Sequence, residues 1–473
     1  MKKNYFLSLL VFTSIMSAQV AELKDINDGS SGSNPSGMIV FDGKIYFAAD
    51  DGSGVNSGDT DYGKELWVSD GTAAGTTFVK DIKTGTSGSS PREFFIFNNQ
   101  LYFTANDDIG ANLWVTDGTN AGTVSAEIYP EVNESVQNPI ELDGKVYMRG
   151  ISTNGDTNDL LIFDGTSTAV NANSTANDES ILSSMAALNG KLLMYANYAP
   201  DDATVDNELY EFDPATGVFT LIKDIDPGTA NSSISNLTTI GTKVYFEADN
   251  DLWETDGTET GTIKVNTANS VSSVSNFHEW NGNLFFEGDD GTNDDQLYVL
   301  NPTADTLTNI SNISGNNHDP ADFVEYNGYL YYSGQDAADN DNHLFRTDGA
   351  TIEQLDTIIK DIDDIVVYNN KLYFEGDNGT DGNELFTFNP ATLSIDRAFE
   401  NSVSIYPNPS TNFINVRGNF NEVANYKMYN IIGKNIKNGS LKNNVINHNL
   451  APGIYLLKLI SGDKTISKKI IVK

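Results

Sequence analysis

Apolar residues along this chain come in short runs, broken by clusters of Gly, Asn, Asp and Pro. The runs hold β-branched and aromatic residues at strand length and show no helical period. Between residues 21 and 400 one unit recurs eight times. Each copy opens on an apolar triplet: Ile45-Tyr46-Phe47, Leu101-Tyr102-Phe103, Val146-Tyr147-Met148, Leu192-Leu193-Met194, Val244-Tyr245-Phe246, Leu284-Phe285-Phe286, Leu330-Tyr331-Tyr332 and Leu372-Tyr373-Phe374. The middle residues lie 56, 45, 46, 52, 40, 46 and 42 positions apart.

An acidic loop follows each triplet, then a second apolar run that ends in a turn. The clearest copies are ELWVSDGTAAGT (65–76), NLWVTDGTNAGT (112–123) and DLWETDGTETGT (251–262); LLIFDGT (160–166) and HLFRTDGAT (343–351) are degenerate ones. Three units place proline there instead, as EFDPATG (211–217), LNPTADT (300–306) and FNPATLS (388–394). Asp-Gly tolerates positive φ, and Asp/Asn-Pro sets the first corner of a type I turn, so two chemistries at one position mark a hairpin. A further strand lies beyond the turn, often ending Lys-Asp-Ile (80–82, 223–225, 360–362), and another precedes the triplet, as at Phe94–Phe97. Four short strands per repeat predict propeller blades, each covering its neighbour's apolar face. The expected fold is therefore all-β: a β-propeller of eight blades, with seven as the alternative. Leu23-Lys24-Asp25-Ile26 has the form of an end-of-blade segment with no blade before it. It is expected to complete the last blade and close the ring. The pattern resembles the ELWxTDGTxxGT repeats of large secreted bacterial proteins, which implies an extracellular, propeller-like array and no established reaction.

Residues 401–473 are built differently. They carry 10 Lys and Arg against only Glu422 and Asp463, in a chain whose totals are 28 and 66 and whose net charge is -38. Such a step marks a separate module. Short apolar runs separated by Gly433, Asn438-Gly439, Pro452-Gly453 and Gly462-Asp463 predict a small Ig-like β-sandwich. YPNPSTNFINV, YKMYNIIGK, LAPGIYLLKL and KKIIVK, in that order, resemble the type A C-terminal sorting domain of proteins exported by the type IX secretion system. That resemblance implies the secretion machinery as partner, passage across the outer membrane of a Gram-negative bacterium, removal of the tail, and release or attachment at the cell surface. Met1-Lys2-Lys3, an apolar stretch from Tyr5 to Met16, and Ser17-Ala18 form the pattern of a signal peptide. The expected organisation is a signal peptide at 1–18, a repeat propeller at 19–400 and the sorting domain at 401–473.

The acidic repeat region repels nucleic acid and anionic membranes, and no apolar run is long enough to span a bilayer as a helix. Cysteine is absent, which removes disulfides and thiolate chemistry. His278, His318, His343 and His448 stand singly, without a zinc or hydrolase motif. No catalytic or cofactor-binding residue is assigned. The metal set is unknown, with calcium the candidate for acidic loops at 50–65, 154–159, 289–295, 336–342 and 377–384. Asp377, Asp381 and Glu384 come nearest to an ordered ligand set. Trp67, Trp114 and Trp253 occupy one repeat position and are expected in the packing, whereas Trp280 falls outside it and is the better candidate for an exposed contact. The functional expectation is a non-enzymatic binding or adhesion module for an extracellular glycan or protein. The alternative is a carbohydrate-active enzyme using two acidic residues in the propeller channel; its lack of carboxylate-binding arginines, with only Arg92, Arg149, Arg346 and Arg397 in the repeats, counts against sialidase chemistry.

Overall fold

A computed structural model of the chain describes residues 20–52, 61–126, 135–151, 157–166, 170–171, 179–198, 207–228, 230–265, 271–292, 294–313, 317–390, 403–418, 425–430, 434–441, 444–461 and 464–473. The expected signal peptide, the charge step at 400–401 and Arg397 lie outside the described residues. Among the described residues every regular element is a strand, so the chain is all-β and no helix is long and apolar enough to cross a membrane. Two compact units result, Val20–Thr387 and a second running from Phe388 to Lys473.

In the larger unit each repeat folds as four strands in sequence order, each its own sheet except that the fifth and sixth are joined into one by an Asp251–Ser272 pairing. The first sheet runs Ser36–Phe41, Lys44–Asp50, Lys64–Ser69 and Thr77–Lys80. The eighth is assembled from both ends of the unit: Lys360–Tyr368, Lys371–Asp377 and Asn383–Phe388 are joined by Val20–Lys24 as the fourth strand. The segment around Leu23 thus occupies the place expected of it. First strands touch from sheet to sheet: Ser36–Phe41, Arg92–Phe97, Gln137–Leu142, Glu179–Leu188, Ser235–Ile240, Ser272–Trp280, Ala321–Tyr326 and Lys360–Tyr368, the last in turn touching Ser36–Phe41.

The triplets explain this order. Successive side chains of a strand face opposite ways. The middle residue of a triplet packs into the following sheet and the outer two into the preceding one. Tyr46 sits with Leu101 and Phe103, Tyr147 with Leu192 and Met194, Tyr245 with Leu284 and Phe286, and Tyr373 with Ile45 and Phe47. All these side chains are buried, and each contributes roughly 1.5–3 kcal/mol by leaving water. The hairpin reading is also met. At the first turn Asp70 Oδ1 accepts from the Thr72 amide and hydroxyl, and Gly75 N donates to Thr72 Oγ1, with the same set at 117–122 and 256–261.

The smaller unit has two sheets, Ser404–Tyr406/Phe413–Arg417/Val445–Asn447 and Asn435–Ser440/Asn425–Asn430/Gly453–Ser461/Lys464–Val472. They enclose Ile414, Val416, Met428, Leu457, Leu459 and Ile470.

Candidate functional site

Sequence reading missed two recurring polar positions. The first is the residue before the second apolar run, occupied by Glu65, Asn112, Asp159, Glu208, Gln296, His343 and Glu384, all buried. Glu384 shows its use: Oε2 accepts from Ile26 N (2.9 Å) and Ser33 Oγ (2.6 Å), and Oε1 from Asn27 N (3.2 Å) and Ser33 N (2.8 Å). Glu65 repeats this with Ile82 N, Lys83 N and Ser89 Oγ, and Glu208 with Ile225 N and Ser232 Oγ. Each carboxylate therefore ties a fourth strand's end to the entry of the next first strand. Burial pushes all three up to about 7 against the pull of these donors. This corrects the expected ligand set at Asp377, Asp381 and Glu384, which is not among the groups of three whose ligand atoms gather within 4.8 Å in the described residues. Both Glu384 oxygens are filled by backbone and serine donors, while Asp381 turns to Asn378 and Thr380.

The second position is a bulge in the first strands, where pairing with the second strand skips residues. Gly37, Glu93, Asn138, Asn236, Asn276, Asp322 and Asp364 sit there with φ between 51° and 67°. Asn, Asp and Gly tolerate that conformation best, so a bulge reads as a turn residue in sequence. Because first strands adjoin around the unit, these residues and their strand partners share one belt. Gly37 N donates to Asp364 Oδ2 (2.8 Å) and Asn138 N to Glu93 Oε2 (3.0 Å), linking neighbouring sheets.

Charge is divided along this belt. Sheets two and three supply Arg92 and Arg149 together with Glu93, Arg149 donating to Asn158 Oδ1 at 2.8 Å. Sheets five to eight supply Glu247, Glu287, Asp322, Asp363, Asp364 and Glu375. Desolvation first, then Asp363 within hydrogen-bonding reach, pushes Asp322 up to about 7; Ser333 Oγ donates to it at 2.9 Å. Burial likewise brings Glu375 and Glu287 to about 7 and raises Asp364. A carboxyl raised in this way holds its proton more firmly than a free one, and an approaching cation can take that proton's place at Asp322.

Of the acidic loops, the structure brings together Asp50, Asp51 and Asp61, and separately Glu287, Asp295 and Asp319, with ligand oxygens within 4.8 Å of one another. A third group, Asp336, Asp339 and His343, includes a histidine. Trp67 and Trp114 are buried between sheets as expected, with Lys24 and Lys80 over their rings. Trp280 is buried too, which corrects its reading as an exposed contact: it packs on Phe285 and on Leu330 and Phe345 of the next sheet. A cleft of about 780 Å³ lies beside Trp253, Tyr245, Lys223, Lys243 and Lys264. Its lysines are engaged, Lys243 with Glu254, Lys264 with Asp251 and Lys223 with Glu259 O.

In the tail, Asn408 of the Pro-Asn-Pro motif clasps the last strand, donating to Lys469 O and accepting from Ile471 N, both at 2.8 Å. Ser410 N donates to Ile471 O and Lys473 N to Ser410 O. The opening motif and the closing KKIIVK are thus two halves of one contact. Residues 404–473 match the family model of the secretion system C-terminal sorting domain. That tail implies export through a type IX secretion system. No curated protein matches the chain in sequence. Among solved structures, the chain is similar to PorZ, a surface component of the type IX secretion system of Porphyromonas gingivalis, at 12% identity and TM-score 0.41, over 95% of this chain and 69% of that one. It is also similar to a prolyl endopeptidase (12%, TM-score 0.47, 74% of this chain and 55% of that one). A third is the β-propeller domain of the Trilobed protease from Pyrococcus furiosus (11%, TM-score 0.43, 70% and 96%).

Proposed function

We propose that residues 20–388 form an eight-bladed β-propeller which, after export and removal of the tail, serves outside the cell as a non-enzymatic binding module. The belt of bulge residues faces the propeller channel, and its acidic arc, opposite Arg92 and Arg149, receives a ligand bearing a cationic group. One observation carries this reading: Asp322 lies within hydrogen-bonding reach of Asp363, which sits next to Asp364 and across from Glu375, so four carboxyls gather at one place on the belt. The same pair speaks against glycoside hydrolysis, because its carboxyls are hydrogen-bonded to each other, whereas retaining and inverting enzymes hold theirs about 5 Å or more apart. A glycan and peptide array run beside a hydrolysis screen tests the proposal. Saturable binding of amine-bearing probes, weakened by Asp322→Asn and without products, is expected. Turnover abolished by a single carboxylate substitution would establish the enzyme instead.

A further inference from the structure

The seventh repeat breaks the rule of the buried position. Where Glu65, Glu208 and Glu384 accept from backbone N–H groups, His343 meets a carbonyl: its Nδ1 lies 2.8 Å from Ile359 O. A carbonyl only accepts, so Nδ1 carries the hydrogen, and in the neutral ring Nε2 is left with a lone pair. The ring is fully buried and cannot turn to water. That lone pair points at Asp339 Oδ1, 3.1 Å away, and one ligand atom from each of Asp336, Asp339 and His343 lies within 4.8 Å of the others. Two acceptors facing each other do not bond. Something positive belongs between them, either a second ring proton or a metal ion.

We propose that Asp336, Asp339 and His343 bind a divalent transition-metal ion of the zinc type. Ligating histidines fix their tautomer by donating the other ring N–H to a carbonyl or carboxylate, as Nδ1 does here to Ile359 O. One imidazole and two carboxylates suit zinc, cobalt or manganese, whereas calcium takes six to eight oxygens and seldom a nitrogen. Neighbouring donors orient Asp336: Gln354 Nε2 donates to Oδ2 at 2.7 Å, and Ala338 N and Asp339 N to Oδ1 at 2.6 and 3.3 Å. Lys360 is the local cation. It pairs with Asp341 and stands 3.6 Å from Asp339 Oδ2, while Oδ1, which also accepts from Asp341 N at 3.3 Å, faces the histidine. With Asp361 also near, three carboxylates face that single ammonium, and the surroundings still favour a dication. The spacing Asp-x2-Asp-x3-His places the two carboxylates on the loop that leads into the His343 strand, so one hairpin supplies all three ligands.

Titration of the purified protein with Co²⁺ at neutral pH, followed by visible absorption, tests the site. One saturating equivalent is expected, displaced by Zn²⁺ and not by an equal concentration of Ca²⁺. His343→Gln is compatible with the fold, since Gln296 fills the corresponding place in the sixth sheet, and should weaken binding about a hundredfold, the upper end of what losing even an outer-shell partner costs. Asp339→Asn alters an exposed side chain and should weaken it similarly. Absence of a saturating equivalent would overturn the proposal, as would binding unchanged in both variants. So would nitrogen NMR showing both His343 ring nitrogens protonated with Zn²⁺ present, which would mean that an imidazolium–carboxylate pair fills the gap.

Discussion

Glu384 offers the sharpest test of how the larger unit closes, because its four donors lie more than 350 residues away in sequence. Glu384→Ala removes every acceptor at once. The amides of Ile26, Asn27 and Ser33 lose their partner in a site where Glu384 and Ser33 are fully buried, while the Ser33 hydroxyl can rotate to another. Each unsatisfied buried donor costs about 1–3 kcal/mol, and water entering the vacated space recovers part of it, so the net loss should be about 3–5 kcal/mol. Glu384→Gln is milder. Its oxygen can keep Asn27 N and Ser33 N, its amide can donate to a reversed Ser33 hydroxyl, and Ile26 N alone is orphaned, at about 1–3 kcal/mol. Urea unfolding should therefore rank wild type above Gln above Ala. Hydrogen exchange should speed up first in Val20–Lys24, the strand this carboxylate secures. Glu259→Ala, at an exposed side chain, is the control. A Glu384→Ala midpoint equal to that control, or a glutamine variant as damaged as the alanine one, would refute the clamp.

Deleting residues 19–28 should leave Asn383–Phe388 as a bare edge, lowering the melting temperature and promoting aggregation; unchanged melting and monomer content would make the segment a dispensable lead-in. Glu65, Glu208, Glu384, Glu287, Asp322 and Glu375 are all pushed up to about 7, so the folded state keeps protons that the unfolded chain gives up near pH 4. Their contribution is complete below the unfolded values and is lost as pH rises through 7, so thermal midpoints should be higher at about pH 5 than at about pH 8; a rise across that range would contradict it. Calcium in the Asp50, Asp51 and Asp61 loop should raise the melting temperature over chelator, and more than magnesium does, by stabilising only the native state; identical melts would leave solvated hairpins. Residues 401–473 fused behind a signal peptide and a fluorescent reporter should leave the periplasm of a host with a type IX system, and a reporter retained with or without the tail would refute that address.

The features legible in sequence were those with one chemistry repeated. The triplets show themselves because a strand packed on both faces needs three consecutive apolar residues, and the Asp-Gly-Thr turns because few residues accept positive φ. The closing strand was legible for a related reason: Leu23-Lys24-Asp25-Ile26 copies the Lys-Asp-Ile ending of other fourth strands, and Lys24 lies over Trp67 as Lys80 lies over Trp114.

What escaped was position without identity. Glu65, Asn112, Asp159, Glu208, Gln296, His343 and Glu384 share one buried place, yet the requirement there is only for a polar group long enough to reach the next entry segment. Selection for a hydrogen-bonding role, unlike selection for shape, is met by carboxylate, amide or imidazole, so the column looks random when read along the chain. The same degeneracy made Glu384 look like a metal ligand, since an acidic residue after Asp377 and Asp381 has that appearance until its donors are seen. Trp280 misled in the opposite direction: Trp-Asn-Gly reads as a hairpin tip, but its ring folds back onto Phe285 and the next sheet. His343 joins both lessons. It was one of four unpaired histidines in sequence, and only its place in the column, against a carbonyl rather than an amide, gives its second nitrogen a direction. In a repeat protein the departures from the common residue are thus the places to look for chemistry, because the fold already fixes what the common residue does.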